Sequence, residues 1–359
     1  MQTVLKAARF VLPVLFFGYA AVVNVGYAKL PGWGDVPLDT GMLRGTLTAK
    51  VDSVYRQSLP HRDPAIGMIG ALRYLAVGEG RKGVITGRDG WLFTAEETRA
   101  LSEPLAAPLA RIADVQATLA AAGARLVIVP VPGKMDVYAD QTAPGTANGI
   151  AALYEGFLTG LAAEGIAVLD ARAALRRPSG GDLAFFRTDT HWTPKGATAV
   201  ASALAASGLI APGVTGFAVD SGSAKTFTGD LVSYVTTDAI APYLGLSPEV
   251  AVPYTAIADP VAGEVDIFGG TAAGATILIG TSYSANPNWS FAEALKLALG
   301  RDVLNLAVEG QGPARPMLDY LASPDFQTAP PEVVIWEFPV RYLSDPTIWG
   351  PVEGVKSGA

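Results

Sequence analysis

The stretch ATILIGTSYSANPNWSFAEALKLALG, residues 275–300, decides the fold. It opens on ATILI, an almost unbroken apolar run of the kind a strand needs when both of its faces are buried. It then crosses Gly280-Thr281-Ser282-Tyr283-Ser284, a cluster of turn-forming residues. In SFAEALKLAL, Phe291, Ala294, Leu295, Ala298 and Leu299 recur at helical spacing. Ser290 and Glu293, three apart, read as a capping box at the start of that helix.

The same alternation continues outward. Downstream come the strand DVLNLAV (302–308), the helix RPMLDYLAS (315–323) and the strand EVVIWEFP (332–339). Upstream, a helix over about residues 105–122, stopped by Gly123, leads into RLVIVPVP (125–132), and a helix over about 150–163, stopped by Gly165, leads into IAVLD (166–170). A further helix follows Pro194, which a first helical turn tolerates. Five buried strands alternating with helices predict an α/β three-layer α/β/α domain with a mainly parallel sheet over residues 81–345. Residues 209–272, rich in Gly, Pro, Ser and Thr, interrupt it and predict an insertion of loops and short strands. GVITGRDGWLF (83–93) predicts a hairpin closed by Arg88-Asp89-Gly90. Residues 29–80 read as an irregular neck with one helix near 45–57, and residues 346–359 as a tail. No internal repeat is present.

Composition narrows the chemistry. The 359 residues are half hydrophobic, enough for a sizeable core. Only 16% are charged, the net charge is -7 and no Lys/Arg run occurs, so the electrostatic footprint of a nucleic-acid binder is missing. Without cysteine there are no disulfides, thiolate metal sites or thiol nucleophiles. With only His61 and His191, histidine chemistry has two candidates, and neither a metal nor another cofactor is expected.

Lys6 and Arg9 precede an uncharged apolar stretch, FVLPVLFFGYAAVVNVGYA (10–28), and Lys29 follows it. That pattern predicts an export signal over residues 1–28, favoured as an uncleaved inner-membrane anchor with the remainder on the periplasmic side. Gly26-Tyr27-Ala28 also offers small residues where a signal peptide is cut.

Ligands in open parallel sheets bind beyond the carboxyl ends of the strands. Ser282 sits at such an end, on a turn. A serine hydroxyl is a poor nucleophile until a base removes its proton, and an imidazole base needs a carboxylate on its other nitrogen. Asp189-Thr190-His191 supplies that pair if the loop turns there. Ser284 stands where a lipase elbow would have its second glycine, so the motif is not G-x-S-x-G. His61, in the neck, is read as structural. Gly78-Glu-Gly80-Arg-Lys-Gly83 matches G-x-G-x-x-G but precedes a hairpin rather than a helix, which argues against a dinucleotide loop. Lys134 follows a strand end and so is a candidate to line the same cleft, with a solvated loop lysine as the favoured reading.

GRDGWLF, RTDTHWTPKGA, ILIGTSYSANPNWSFAEAL, DVLNLAVEGQGP and VVIWEFPVRYL, in this order over residues 80–345, resemble the alginate O-acetyltransferase family of AlgJ and AlgX type, whose catalytic domain is SGNH-hydrolase-like. The resemblance implies a catalytic triad of Ser282, His191 and Asp189, with Thr281 standing where the Gly-Asp-Ser block has Asp. It implies an oxyanion hole formed by the Ser282 N–H with Gly310 or Gly312 of GQGP. An ordinary SGNH enzyme has an Asn donor after the following strand, whereas this chain has Trp336-Glu337-Phe338-Pro339. Trp192 and Trp289 are singled out among the tryptophans as possible sugar-stacking rings by their nearness to the motifs, and Trp192, Tyr283 and Arg341 are the candidate substrate contacts. The implied function is transfer of acetyl to a hydroxyl of an exported polysaccharide, working beside an integral membrane O-acyltransferase that delivers the acetyl group. A carbohydrate esterase with the same triad and a non-catalytic component of an exopolysaccharide assembly complex are the alternatives. Because the sequence ends soon after the α/β domain, the separate carbohydrate-binding domain of AlgX-type members is expected to be absent, and with its N-terminal apolar anchor the chain is expected to be closer to the AlgJ type.

Overall fold

The computed structural model describes residues 2–27, 44–58, 62–100, 105–176, 181–259 and 274–349. The chain divides into two compact units, Met1–Gly70 and Ala71–Ala359. The first carries α1 (Gln2–Tyr27), with Pro13 inside it, and α2 (Thr46–Ser58). Helix α3 (Arg62–Val77) crosses the boundary between the units, so the neck expected to be irregular is helical over much of its described length. Among the described residues no helix is long and apolar enough to cross a membrane. His61 lies outside the described residues.

The second unit opens on the expected hairpin, β1 (Val84–Thr86) antiparallel to β2 (Leu92–Thr94). Asp89 and Gly90 turn it at φ 50° and 77°, the left-handed region where glycine is at ease. Next come α4 (Ala106–Ala121), β3 (Arg125–Val131), the one-turn α5 (Lys134–Val137), α6 (Asn148–Ala163), β4 (Ala167–Val168), α7 (Arg172–Arg176) and α8 (Pro194–Ala206). The insertion supplies β5 (Phe217–Ser221), β6 (Lys225–Phe227), β7 (Glu249–Ala251) and β8 (Tyr254–Ala258). The core then resumes with β9 (Thr276–Ile279), the one-turn α9 (Ser282–Ala285), α10 (Phe291–Leu299), β10 (Val303–Asn305), α11 (Ala314–Leu321) and β11 (Val333–Pro339).

The five strands read as buried form one sheet, ordered β10-β9-β11-β3-β4, with every pairing parallel. The last strand, β11, fills the centre, with Val333 opposite Thr276 on one side and Arg125 on the other. Because side chains alternate along a strand, β11 feeds two cores. Val333 and Ile335 pack with residues of α8 and α10, while Val334, Trp336 and Phe338 pack with residues of α4, α6 and α11. These are the two outer layers of the predicted three-layer arrangement. Fully burying one such apolar side chain contributes roughly 1.5–3 kcal/mol.

In the insertion, β5 pairs with β8 and β6 with β7, both antiparallel. Leu231, Val232, Val235 and Leu246 form a small separate core with Val84 and Leu92 of the hairpin. Residues 260–273 lie outside the described residues.

Two expectations are corrected. The capping box does not form: Ser290 takes a left-handed conformation (φ 54°) and makes no side-chain cap. Its hydroxyl instead accepts the Tyr254 N–H at 2.9 Å, and Glu293 accepts the Ala256 N–H at 2.8 Å, tethering β8 to the start of α10. The tail is also not all tail, because Trp349 is buried against Trp336 and Phe338.

Candidate active site

Strand β9 ends at Ile279, and Ser282 opens α9 two residues beyond Gly280. The turn is held from below by Glu337 on the neighbouring strand β11, a fully buried carboxylate. It accepts the Thr281 N–H at 3.0 Å, the Thr281 hydroxyl at 3.1 Å and the Ser284 hydroxyl at 2.7 Å. A Cβ at residue 280 would sit 2.4 Å from the Glu337 carboxylate, so the close approach demands glycine there. Burial pushes the Glu337 carboxyl up, against the opposing pull of these hydrogen bonds and of Arg341.

Asp189 and His191 lie in the loop leading into α8. One Asp189 oxygen accepts the His191 N–H at 2.9 Å and also meets His191 Nδ1 at 2.7 Å. The two-residue spacing therefore closes on itself as an Asx-type turn. His191 Nε2 lies 2.8 Å from Ser282 Oγ. Because an ionised carboxylate only accepts, the proton is assigned to Nδ1, leaving the Nε2 lone pair toward the serine hydroxyl. The imidazole lies over Trp289, with ring centroids 5.3 Å apart at 24°. Burial works to raise the Asp189 carboxyl, but the His191 hydrogen bond and charge and the N–H groups of His191 and Asp230 outweigh it, holding it below the usual range.

Outside the sheet, this loop depends on groups distant in sequence. Glu249 accepts both the N–H and the hydroxyl of Thr188, at 2.6 and 2.8 Å. Asp230 accepts both the N–H and the hydroxyl of Thr190, at 2.8 and 2.5 Å, and its own N–H donates to the second Asp189 oxygen at 3.0 Å. Gly229 passes so close that a Cβ there would meet the Thr188 carbonyl oxygen at 2.3 Å.

Lys134 is not solvated. It is 1% exposed, and its ammonium donates to the carbonyls of Leu92, Arg187 and Asp189 at 2.6, 2.8 and 2.9 Å. The Trp91 and Phe93 rings flank it, each 5.2 Å away. Burial lowers its pKa to about 8 in spite of the nearby carboxylates of Glu97, Asp189, Glu249 and Asp230.

Two cavities meet at His191 and Ser282. One, of about 670 Å³, is lined on its far side by Lys82, Glu96, Arg99, Arg341 and Tyr342. The other, of about 400 Å³, is lined by Lys225, Phe227, Asn286, Asn288, Trp289 and Glu309. Of the expected substrate contacts, Arg341 reaches the larger cavity although only 7% exposed, with Nε 3.0 Å from Glu96. Tyr283 is buried, donating its hydroxyl to the Thr190 carbonyl at 2.5 Å and accepting from Arg341 at 3.1 Å, so it braces the histidine loop. Trp192 is corrected outright. It is 0% exposed, and its indole N–H donates to the Tyr283 carbonyl at 3.0 Å, which leaves no ring face for a sugar. Gly310 and Gly312 take φ of 73° and 64° in the loop after β10, but neither lines a cavity at Ser282, and the loop reaches that space through Glu309.

Asp189, His191 and Asp230 offer donor atoms within 4.8 Å of one another. Those atoms are already committed to hydrogen bonds with each other, with Thr190 and with Ser282, an arrangement suited to proton movement rather than to an open cation cage. Glu337, Asp230 and Glu249 were not legible as site residues, and Lys134 was legible as a cleft candidate but not as a buried ammonium. Lys134 and Glu337 carried one available signal, a charged residue at the carboxyl end of a buried strand. Asp230 and Glu249 carried none, since only the folded insertion brings them to the loop.

A serine on a strand-to-helix turn, facing an Asp-x-His loop across the carboxyl edge of a parallel sheet, defines an α/β/α domain with a Ser–His–Asp constellation. Residues 84–340 match the family model described as ALGX, the SGNH hydrolase-like domain of acetyltransferase AlgX, and the chain belongs to that family. It is 35% identical over 353 residues to a probable alginate O-acetylase, AlgJ, of Pseudomonas aeruginosa, a match covering 92% of this chain and 90% of that protein. The solved O-acetyltransferase domain of Pseudomonas putida AlgJ superposes with a TM-score of 0.62 at 34% identity, covering 73% of this chain and 93% of that one. Pseudomonas aeruginosa AlgX superposes with a TM-score of 0.60 at 24% identity, over 74% of this chain and 65% of that one, and shares the fold.

Proposed function

We propose that this chain transfers acetyl groups to hydroxyls of an exported, alginate-like polysaccharide through an acyl-enzyme on Ser282. The reading is supported by the family, by the alginate O-acetylase names of its relatives, and above all by one observation: the 2.8 Å approach of His191 Nε2 to Ser282 Oγ, with Asp189 on Nδ1. Nε2 takes the Ser282 proton as Oγ bonds to the acetyl carbonyl carbon of the donor. The tetrahedral oxyanion receives the Ser282 N–H. Its collapse breaks the bond to the leaving group, which departs with the proton from Nε2. A sugar hydroxyl then gives its proton to Nε2 while its oxygen attacks the acyl carbon, and collapse returns both the electron pair and the proton to Ser282.

The acetyl donor is supplied by an integral membrane O-acyltransferase, and the reaction takes place on the periplasmic side of the inner membrane. Lys6 and Arg9 ahead of an apolar segment support export by an N-terminal signal or anchor, as do the exposed apolar side chains Val14, Phe16, Phe17 and Val22 of α1. The test compares hydrolysis of a chromogenic acetyl ester, and acetyl transfer to mannuronate oligomers, by wild type and by Ser282→Ala, His191→Ala and His61→Ala. The first two variants lose about a thousandfold or more in rate, and the third keeps wild-type rates. A Ser282→Ala protein as active as wild type overturns the assignment, and acetate release undiminished by the oligomers makes the protein an esterase.

A further inference from the structure

The loop carrying Asp189 and His191 has a second carboxylate behind it. Asp230, from the insertion, grips Thr190 through both oxygens and donates its own N–H to Asp189. An oxygen of its carboxylate lies within 4.8 Å of both a ring nitrogen of His191 and an oxygen of Asp189. The Thr190 hydroxyl, which Asp230 holds, is itself 3.3 Å from His191 Nδ1.

Resting on the acyl-transfer reading, we propose that Asp230 is a positioning residue of the active centre: it orients the Thr190–His191 peptide and faces the positive charge that His191 acquires on taking the Ser282 proton. In the resting site Asp189 and Asp230 are two carboxylates held close together. Although Asp230 presents surface to solvent, its carboxyl is hemmed in by the loop, and that desolvation together with the Asp189 charge raises its pKa. The repulsion is relieved when the imidazolium forms within each step, as Nε2 takes the proton of Ser282 or of the sugar hydroxyl. The second carboxylate therefore favours the charged transition state over the resting state, which is the condition for an interaction to raise the rate. The other charged groups around this loop are Lys134 beneath Asp189 and Glu249 on Thr188. Lys82, Glu96, Arg99 and Arg341 line the larger cavity, and Lys225 and Glu309 the smaller. All of them are unchanged by the substitutions below.

The test uses the full chain and Asp230→Asn, which keeps an acceptor for Thr190 but removes the charge. Two readouts are followed: the pH profile of kcat/KM for an acetyl ester, and the imidazole titration by NMR, assigned with His61→Ala because the chain has only two histidines. A unit charge about 5 Å away moves such a titration by roughly half a unit to one unit, so the acid limb and the imidazole midpoint fall by that amount and the rate drops about 3- to 10-fold. Asp230→Glu restores part of both. Thr190→Val, which loses the hydroxyl half of the clamp but keeps the backbone N–H bond and the charge, leaves the acid limb at its wild-type position. An unmoved acid limb and midpoint in Asp230→Asn overturn the proposal, as does an equal movement in Thr190→Val. Should the asparagine variant not fold, Asp230→Ser carries the same prediction. The NMR arm needs no turnover, so it fails or succeeds independently of the acyl-transfer reading, which Ser282→Ala tests.

Discussion

Ser282 and His191 reach the same 2.8 Å contact from supports of different kinds. The serine turn is anchored within the sheet: β9 delivers it, and Glu337 of the adjacent strand takes up its free donors. The Asp189–His191 loop follows no strand of the central sheet, and β2 reaches it only through the Leu92 N–H on the Arg187 carbonyl. Its side-chain supports are a buried ammonium from α5, just beyond β3, and two carboxylates from the insertion. One half of the centre is thus built by local sequence and strand pairing, the other by long-range side-chain contacts. The first half should be robust to changes in the insertion, and the second should not.

Each half contains a glycine that tests this difference. At Gly229 a Cβ would press on backbone, 2.3 Å from the Thr188 oxygen, which cannot move without the Asp189–His191 loop. Gly229→Ala is expected to lose about 3 kcal/mol, lowering Tm by about 5 °C. At Gly280 the nearest obstacle is the end of the Glu337 side chain, with backbone no closer than the Glu337 carbonyl oxygen at 3.1 Å, so Gly280→Ala loses less, about 1 to 3 kcal/mol. Thermal unfolding monitored by circular dichroism measures both, and the reverse order would contradict the distinction drawn between the two supports.

A smaller effect is expected from pH at Lys134. Its pKa is lowered to about 8, so above that pH the ammonium loses a proton and one of its three carbonyl contacts weakens. The effect on stability has the opposite sign. Between about 8 and the ordinary lysine value near 10.4 the unfolded chain binds the proton and the folded one does not, so this group makes folding more favourable as pH rises. Turnover should therefore fall through an alkaline limb near pH 8 while Tm shows no loss on this account. Lys134→Met should reduce kcat about tenfold through a misplaced loop and abolish that limb. A limb that survives the substitution would assign it to another group.

What the sequence disclosed follows the same division. The run ATILI, the turn after it and the apolar spacing of α10 depend on local propensity and periodicity, and the parallel sheet follows from repeating that pattern five times. The Asp189-x-His191 spacing was legible because an Asx-type turn is a two-residue event. The burial of Lys134 was not, since a lysine after a strand end is usually solvated and only the converging carbonyls of Leu92, Arg187 and Asp189 make it otherwise. Ser290 and Glu293 matched a capping box in spacing, but β8 competes for the same oxygens and wins. Trp192 was misread for a related reason: proximity to the motif in sequence says nothing about which way a ring points once Phe291 and Tyr283 pack around it.

The central claim is that Ser282 carries the acetyl group, and the most direct measurement is mass spectrometry of protein quenched during turnover of an acetyl ester. One added acetyl is predicted on the peptide containing Ser282, present in wild type, accumulating when acceptor is withheld and missing from Ser282→Ala. Turnover without that adduct, or an equal adduct in Ser282→Ala, would contradict the account.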